Sequence, residues 1–401
     1  MKNIIIFKEV FTIIEIFEYL TSKQKFLIYS LLGCLLISSF TTLFGIASII
    51  PLIEIIKDPL SIENNFIKTY LDLIFNITGI PRVNIAVISS IFIVVFAYLA
   101  RLISEFFILY TTAEISIFLH DKALRNYLKL PYDKQIGKIT NELPYCLSKG
   151  INQVQSGIIF RWLNAISSLF LFISLSGGLL IAEPKITFLF IILISVYYVI
   201  VNVPTIKFLS QKSSKMYSYS KDHLDSLSGL KWFIKQLKLY GIEDNFYHNL
   251  SNLHARHKKL NTISTFISTY PRTLLELLLI LVIFAIISLS SASSLNNFTP
   301  KLFFCILITQ KLLPVVSTLY ASYKDILANK HALKDLLIFL RIPFSNPKLN
   351  FDISSGELSN IEIKNLSFKY PNQKEFILSG ISLSLNINKY YFLKAPSGYG
   401  K

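Results

Sequence analysis

The last seven residues, Ala395, Pro396, Ser397, Gly398, Tyr399, Gly400 and Lys401, have the types and spacing of a phosphate-cradling loop, [AG]xxxxGK. Small residues let successive backbone N–H groups close around phosphate oxygens, and the terminal lysine neutralises their charge. So short a match takes its meaning from context, and here the run YYFLKA, read as a strand, leads straight into the loop. A second residue of suitable type lies upstream. Tyr370, in LSFKYP, stands 25 residues before Ala395 near the end of another expected strand. Its ring offers a face on which a purine can stack, as bases do on aromatic side chains. Taken alone it is an ordinary strand aromatic.

The other candidates are ionisable residues inside long apolar runs, where a charge is expensive and faces a cavity or a partner. Arg101 and Glu105 are four apart, hence on one helix face, and form either a self-neutralising pair or part of a cavity lining. Lys311 has no acid close in sequence, and Glu276 and Glu54 lie in or beside other apolar runs. Together, Arg101, Glu105 and Lys311 are the expected lining of a cavity that favours anionic groups. No catalytic residue and no metal site is expected. Trp162, Trp232 and the six histidines show no catalytic spacing. His254 and His257, with Arg256, Lys258 and Lys259 beside them, read as a solvated basic face. Cys34, Cys146 and Cys305 form no CxxC pair, have no histidine at ligand spacing, and read as small core residues.

The elements that must hold these residues are mostly apolar. The chain is 52% hydrophobic, 14% aromatic and only 16% charged, with a mean hydropathy of +0.52, too apolar for one soluble core. A net charge of +16 raises the question of nucleic acid. A nucleic-acid binder gathers its Lys and Arg on a soluble module, whereas here they lie between apolar runs, so no such partner is expected. The first 25 residues mix Lys2, Lys8, Glu9, Glu15 and Glu18 with aliphatics and show no cleavage site, so they read as part of the mature protein.

A membrane span needs about 20 mostly apolar residues. Six stretches qualify: Phe26 to Ile56, Val83 to Thr111, Ile158 to Ala182, Ile186 to Ile206, Leu274 to Ser291 and Leu302 to Tyr323. Glu183-Pro184-Lys185 is the only break between the third and fourth, which fits a tight turn. Basic residues crowd the two long alternate connections, Lys122 to Lys149 and Lys207 to Lys259, whereas SLSSASSLNNFTP carries none. Cytoplasmic loops retain Lys and Arg, so both termini are expected inside. Those inner connections have helical periodicity and read as spans continuing into the cytoplasm. Residues 1–22 read as an interfacial helix or a plain cytoplasmic tail. PFSNPKLNFDISSGELSN is a linker, and IEIKNLSFKYP and ISLSLNINKYYFLKA then alternate at period two as strands.

In this order, the six spans, linker, aromatic strand and loop resemble the ATP-binding cassette (ABC) exporter family, in its half-transporter form, over essentially the whole chain. IEIKNLSFKYP resembles the family's opening strand with an adenine-stacking Tyr370, ILSGISLSLNI the next strands, and APSGYGK the Walker A loop. FGIASIIPLIEIIKDP, LPYDKQIGKITNELPY, LDSLSGLKWFIKQLKLYGIED and QKLLPVV look like the branch containing lipid-linked oligosaccharide flippases. The resemblance implies an interfacial elbow helix (1–22), a six-helix transmembrane domain (23–341), a linker (342–359) and the truncated start of a P-loop α/β nucleotide-binding domain (360–401).

It also implies ATP and Mg²⁺ as cofactors, with Tyr370 and 395–401 holding the nucleotide, and coupling helices near Pro131 to Glu142 and Asp225 to Tyr240. The setting is the cytoplasmic membrane, the partners are membrane lipid and a second, identical or different, half-transporter, and the activity is ATP-driven export or flipping of an amphipathic substrate. Arg101 and Lys311 would then favour an anionic group such as a lipid pyrophosphate. Ala395 stands where a glycine is commoner, and Tyr399 where a small residue is usual. The Mg²⁺-ligating Ser or Thr, Walker B with its glutamate and the signature motif do not follow Lys401, so the chain is expected not to hydrolyse ATP unaided. The alternative reading is a truncated, non-transporting remnant. A channel or receptor is the third.

Overall fold

The computed structural model of the protein describes residues 15–49, 52, 69, 73, 75–76, 79, 81–130, 145–182, 184–289, 299–342, 360–369, 376–386, 389–392 and 394. These residues are mostly helical. In chain order they form α1 (Ser22–Ala47), α2 (Arg82–Leu128), α3 (Ile151–Val154), α4 (Phe160–Ala182), α5 (Pro184–Tyr240), α6 (Glu243–Leu289) and α7 (Thr299–Leu340), followed by strands β1 (Asn360–Phe368) and β2 (Leu378–Asn386). Two π-helical turns, Cys146–Gly150 and Gln155–Ile159, flank α3. The chain divides into two compact units, residues 1–124 with 145–341 and residues 125–144 with 342–401.

Three helical stretches, Ser22–Ala47, Arg82–Leu128 and Cys146–Ile181, are long and apolar enough to cross a membrane. Their burial pattern is that of a membrane protein. On α2 the large apolar side chains Ile88, Phe92, Phe96, Leu102, Phe106 and Leu109 are exposed, while Ser104, Thr111, Thr112 and Ser116 are buried. A water-soluble helix would place these the other way round. The expected fourth, fifth and sixth apolar runs begin or lie within α5, α6 and α7.

Helix α5 has 57 residues and α6 has 47, far more than the ~20 that cross a bilayer core. Their polar halves, expected to continue as helices beyond the membrane, are helical throughout. The short transverse helix expected near Asp225 to Tyr240 is not separate; these residues are the last turns of α5. The chain reverses only at Gly241, whose φ of +61° is a left-handed conformation that glycine adopts without steric cost. Glu243 and Asp244 then open α6, where acidic side chains suit the positive helix end. Lys238 closes the corner with an ion pair to Glu243 at 2.9 Å.

Helices α1, α4 and α7 share a core of Ile46, Leu175, Leu179, Ile308, Leu312 and Val315. Leu275 of α6 joins Val316, with Tyr197 of α5 packed against them. Residues 15–19 are helical and are tied down on three sides. Arg341 holds Glu15 with two hydrogen bonds of 2.8 and 2.9 Å, Lys122 Nζ donates to the Tyr19 carbonyl at 3.2 Å, and Phe17 meets Trp162 edge-on at 5.1 Å. Among the described residues Cys34 and Cys146 form no disulfide, and Cys146 is buried.

In the second unit β1 and β2 pair antiparallel, Asn360 opposite Asn386 and Phe368 opposite Leu378, with two register shifts between. YYFLKA, expected as a strand, is not one at its described residues 390–392 and 394. A strand needs a neighbour for its backbone groups, and among the described residues the sheet has two strands. The Tyr391 hydroxyl instead accepts the Asn386 N–H at 2.8 Å. Tyr370, 395–401, Glu54, the expected coupling helix over 131–142, most of the linker and residues 1–14 lie outside the described residues.

The second π-turn brings Gly157 against α7, where a Cβ would fall 2.6 Å from Asn329 Cγ and 3.1 Å from its Cβ. Gly157→Leu is expected to lose about 1–3 kcal/mol through overpacking, read as a lower thermal midpoint in detergent and partly recovered in an Asn329→Ala background. Gly33→Leu, where nothing lies within 4 Å, should show no such loss.

Candidate functional site

Four helices bring polar side chains to a common interior space. On α1 these are Ser38 and Thr42, on α2 Arg101, Ser104 and Glu105, on α4 Asn164, Ser167 and Ser168, and on α7 Lys311 and Thr318. The spacing explains the convergence. Arg101, Ser104 and Glu105 follow i, i+3, i+4, and Asn164, Ser167, Ser168 and Leu171 follow i, i+3, i+4, i+7, so each set forms one stripe on one helix face. Lys311, Pro314, Val315 and Thr318 repeat the pattern on α7.

The space has two chambers of opposite character. One, of about 270 Å³, carries the polar side chains just named. The other, of about 220 Å³, is walled by Gly45, Ile46, Ile49, Val94, Ala97 and Leu307. Thr42, Arg101 and Lys311 line both. Gly45 lets α1 approach α2 closely, since a Cβ there would lie 3.2 Å from Ala97 Cβ. Below that contact the Ser38 and Ser104 hydroxyls sit 3.2 Å apart, the kind of small-residue and hydroxyl packing that joins helices in lipid.

The charges are unevenly matched. Arg101 Nε bonds Glu105 Oε1 at 3.1 Å, and at 40% and 55% exposure the two side chains are open to a ligand. Lys311 Nζ donates to the Tyr98 hydroxyl at 2.7 Å and lies 5.1 Å from that ring's centroid. Among the described lining residues two cations, Arg101 and Lys311, stand against one carboxylate, Glu105, and that carboxylate is paired with Arg101. Pro314, inside α7, has no N–H to give the carbonyl four residues back, that of Gln310, a residue of the apolar chamber.

A second charge group lies one to two helical turns further along. Arg161 of α4 reaches Asp325 of α7 at 2.9 Å. Lys324, only 2% exposed, stands 3.8 Å from the same carboxylate. Its ammonium donates to the Ser264 carbonyl of α6 at 2.6 Å, which links three helices through two cations and one anion.

Of the residues singled out in the sequence, the structure brings Arg101, Glu105 and Lys311 to one cavity. Glu276 is elsewhere, in a 2.8 Å pair with Arg272. Sequence reasoning missed Tyr98, Lys324 and the serines, threonines and asparagine of the lining. Their signal was the helical spacing of small polar residues within runs read simply as apolar.

Asp325→Asn strands Lys324 and Arg161 without their carboxylate and is expected to cost about 3–5 kcal/mol, measured by denaturant unfolding in detergent. Lys324→Met removes the buried cation, leaves the Arg161–Asp325 pair, and should cost far less or stabilise.

No protein-family model matches the chain, and comparison with curated proteins finds no match.

Proposed function

We propose that this chain is the membrane part of an ATP-driven exporter or flippase of the ABC half-transporter type, together with the opening of its nucleotide-binding domain. Its substrate is amphipathic and anionic at one end. The observation that carries this reading is the cavity in which a polar chamber with an excess cation adjoins an apolar one, on helices of membrane-spanning length and character. An anionic head suits Lys311 and Arg101, and an apolar tail suits Ile46, Val94 and Leu307. A guanidinium and an ammonium in a water-poor site bind phosphate-type oxygens through short, charge-assisted hydrogen bonds.

In this reading α1, α2 and the Cys146–Ile181 stretch are the first three of six spans, and α5, α6 and α7 supply the other three. Both termini face the cytoplasm, and the membrane is the cytoplasmic one. The extended parts of α5 and α6 carry motion between the membrane and the ATPase. Tyr370 and Ala395–Lys401 would hold ATP. A second half-transporter completes the molecule. Nucleotide-driven closure shifts the cavity between two packings that differ in their affinity for the substrate.

The test uses the full-length gene product in vesicles, with transport read by quenching of a fluorescent anionic lipid. Lys401→Ala should abolish ATP binding and all transport. Lys311→Ala should retain ATP binding while transport of the anionic lipid falls on the order of tenfold, equivalent to about 1.4 kcal/mol. Failure to bind ATP ends the transporter reading; full transport by Lys311→Ala ends the assignment of the cavity.

A further inference from the structure

Outside the apolar stretches, three elements that are distant in sequence bring five basic side chains to one place. Lys149 comes from the π-turn Cys146–Gly150, His223 from α5, and His254, His257 and Lys258 from α6. The His223 and His254 rings lie 5.1 Å apart. Lys149 Nζ donates to Ser220 Oγ at 2.5 Å, one turn before His223. His223 Nδ1 is shut off from solvent and finds no hydrogen-bond partner among the described residues. What the sequence presents as a wet basic face on α6 is therefore one side of a basic cluster shared by three elements, with His254 and Lys258 exposed and Lys149, His223 and His257 half-buried.

We propose that Lys149, His223, His254, His257 and Lys258 bind a soluble phosphorylated anion carrying two or more negative charges. This inference does not rest on the transport reading.

The basic groups of the cluster push on one another. Burial, and then Lys258, hold the Lys149 ammonium below the ordinary lysine range. Burial, then His254, with a smaller push from Lys149, lower His223, although the Leu250 backbone favours its protonated ring. His257 is lowered by burial and then by Lys149, Lys258, His254 and His223. Asp335 and Asp225 act on the adjoining Tyr145, whose hydroxyl is pushed up by burial first and then by those carboxylates. A multivalent anion would relieve the repulsion and let the imidazoles protonate, each then donating from both ring nitrogens.

Two other occupants fit less well. Among the described residues no group of three His, Cys, Asp or Glu could hold a metal ion, and two lysines repel one. A lipid headgroup is too far away. His223 lies roughly 25 Å of helix beyond Ile206, the end of the apolar run, at about 1.5 Å per residue. His257 stands as far before Leu274.

The experiment uses the full chain in neutral-lipid nanodiscs with inorganic pyrophosphate as probe, followed by calorimetric binding and by thermal midpoint. Pyrophosphate should raise the midpoint and bind more tightly at pH 6.5 than at pH 8, with proton uptake. The sign follows from the lowered histidines. Unliganded, the folded state binds fewer protons than the unfolded one near pH 6, so it loses stability on acidification, and bound anion reverses this. Lys149→Met should weaken binding on the order of tenfold without lowering the unliganded midpoint, because it removes a repelled charge. His223→Phe with His257→Phe should flatten the pH dependence, and Lys401→Ala should bind as the parent does. The proposal is overturned if pyrophosphate gives no shift, if Lys149→Met responds equally, if Lys401→Ala loses the response, or if only anionic nanodisc lipid produces one.

Discussion

The constraint on which the rest of the structure depends is the loss of water as a hydrogen-bonding partner for helices in lipid. Each helix satisfies its own backbone, but its polar side chains must turn inward and find one another. Ser104 faces Ser38, and Ser174 Oγ donates to the Ser39 carbonyl at 3.2 Å. Phe92, Phe96 and Phe106 are left to the outside. Since lipid tails are as apolar as leucine, no hydrophobic force draws the helices together, and close contact has to come from small residues such as Gly45 against Ala97. The cavity opens where that small-residue seam gives way to Arg101 and Lys311, side chains too long and too polar to pack flat.

Backbone irregularities sit at both edges of this space. Pro314 interrupts α7 beside Lys311, and its own carbonyl accepts the Ser317 and Thr318 hydroxyls at 2.9 and 2.6 Å. Such local bonds give these hydroxyls partners within the helix where proline leaves a gap in the N–H ladder. The π-turn Gln155–Ile159 presents Gly157 to Asn329, whose amide donates to the Asp325 carbonyl at 2.8 Å. Asp325 in turn holds Arg161. An extra residue in a helical turn thus fixes the register in which the Arg161–Asp325–Lys324 group assembles. π-bulges concentrate at working parts of helices for this reason: they re-aim side chains that a regular helix would place elsewhere.

Apolar runs were legible in the sequence because lipid imposes a length and a composition together, and the stretch from Arg82 answers to both. Arg101, Glu105 and Lys311 could be picked out because a charge in an apolar run is conspicuous. Tyr98 and the serines could not, since each is unremarkable until a partner helix stands opposite. The end of α5 was misjudged for a local reason: Asp225 to Tyr240 holds basic and apolar residues that suit a transverse helix or a continuing one equally, and only Gly241 marks the turn. YYFLKA alternates like a strand, but pairing is a property of the neighbours. The meeting of Lys149, His223 and His254 was invisible because they are separated by long helices whose packing no spacing rule records.

The two chambers also limit how a lipid-like substrate would sit. Each is smaller than the roughly 300–1,000 Å³ of a typical small-molecule site, and only their union through Thr42, Arg101 and Lys311 reaches that range. A long acyl or polyprenyl chain does not fit within such a volume. The head would therefore be the part the protein encloses, while most of the tail stays in the bilayer along the outer, phenylalanine-rich face of α2. Binding of that kind costs little desolvation of the tail and concentrates selectivity on charge. On the proposed reading, the placing of Lys311 against a tyrosine also has a use. A carboxylate at that position would compete with the substrate head, whereas the Tyr98 hydroxyl and ring steady the ammonium and leave its charge uncancelled.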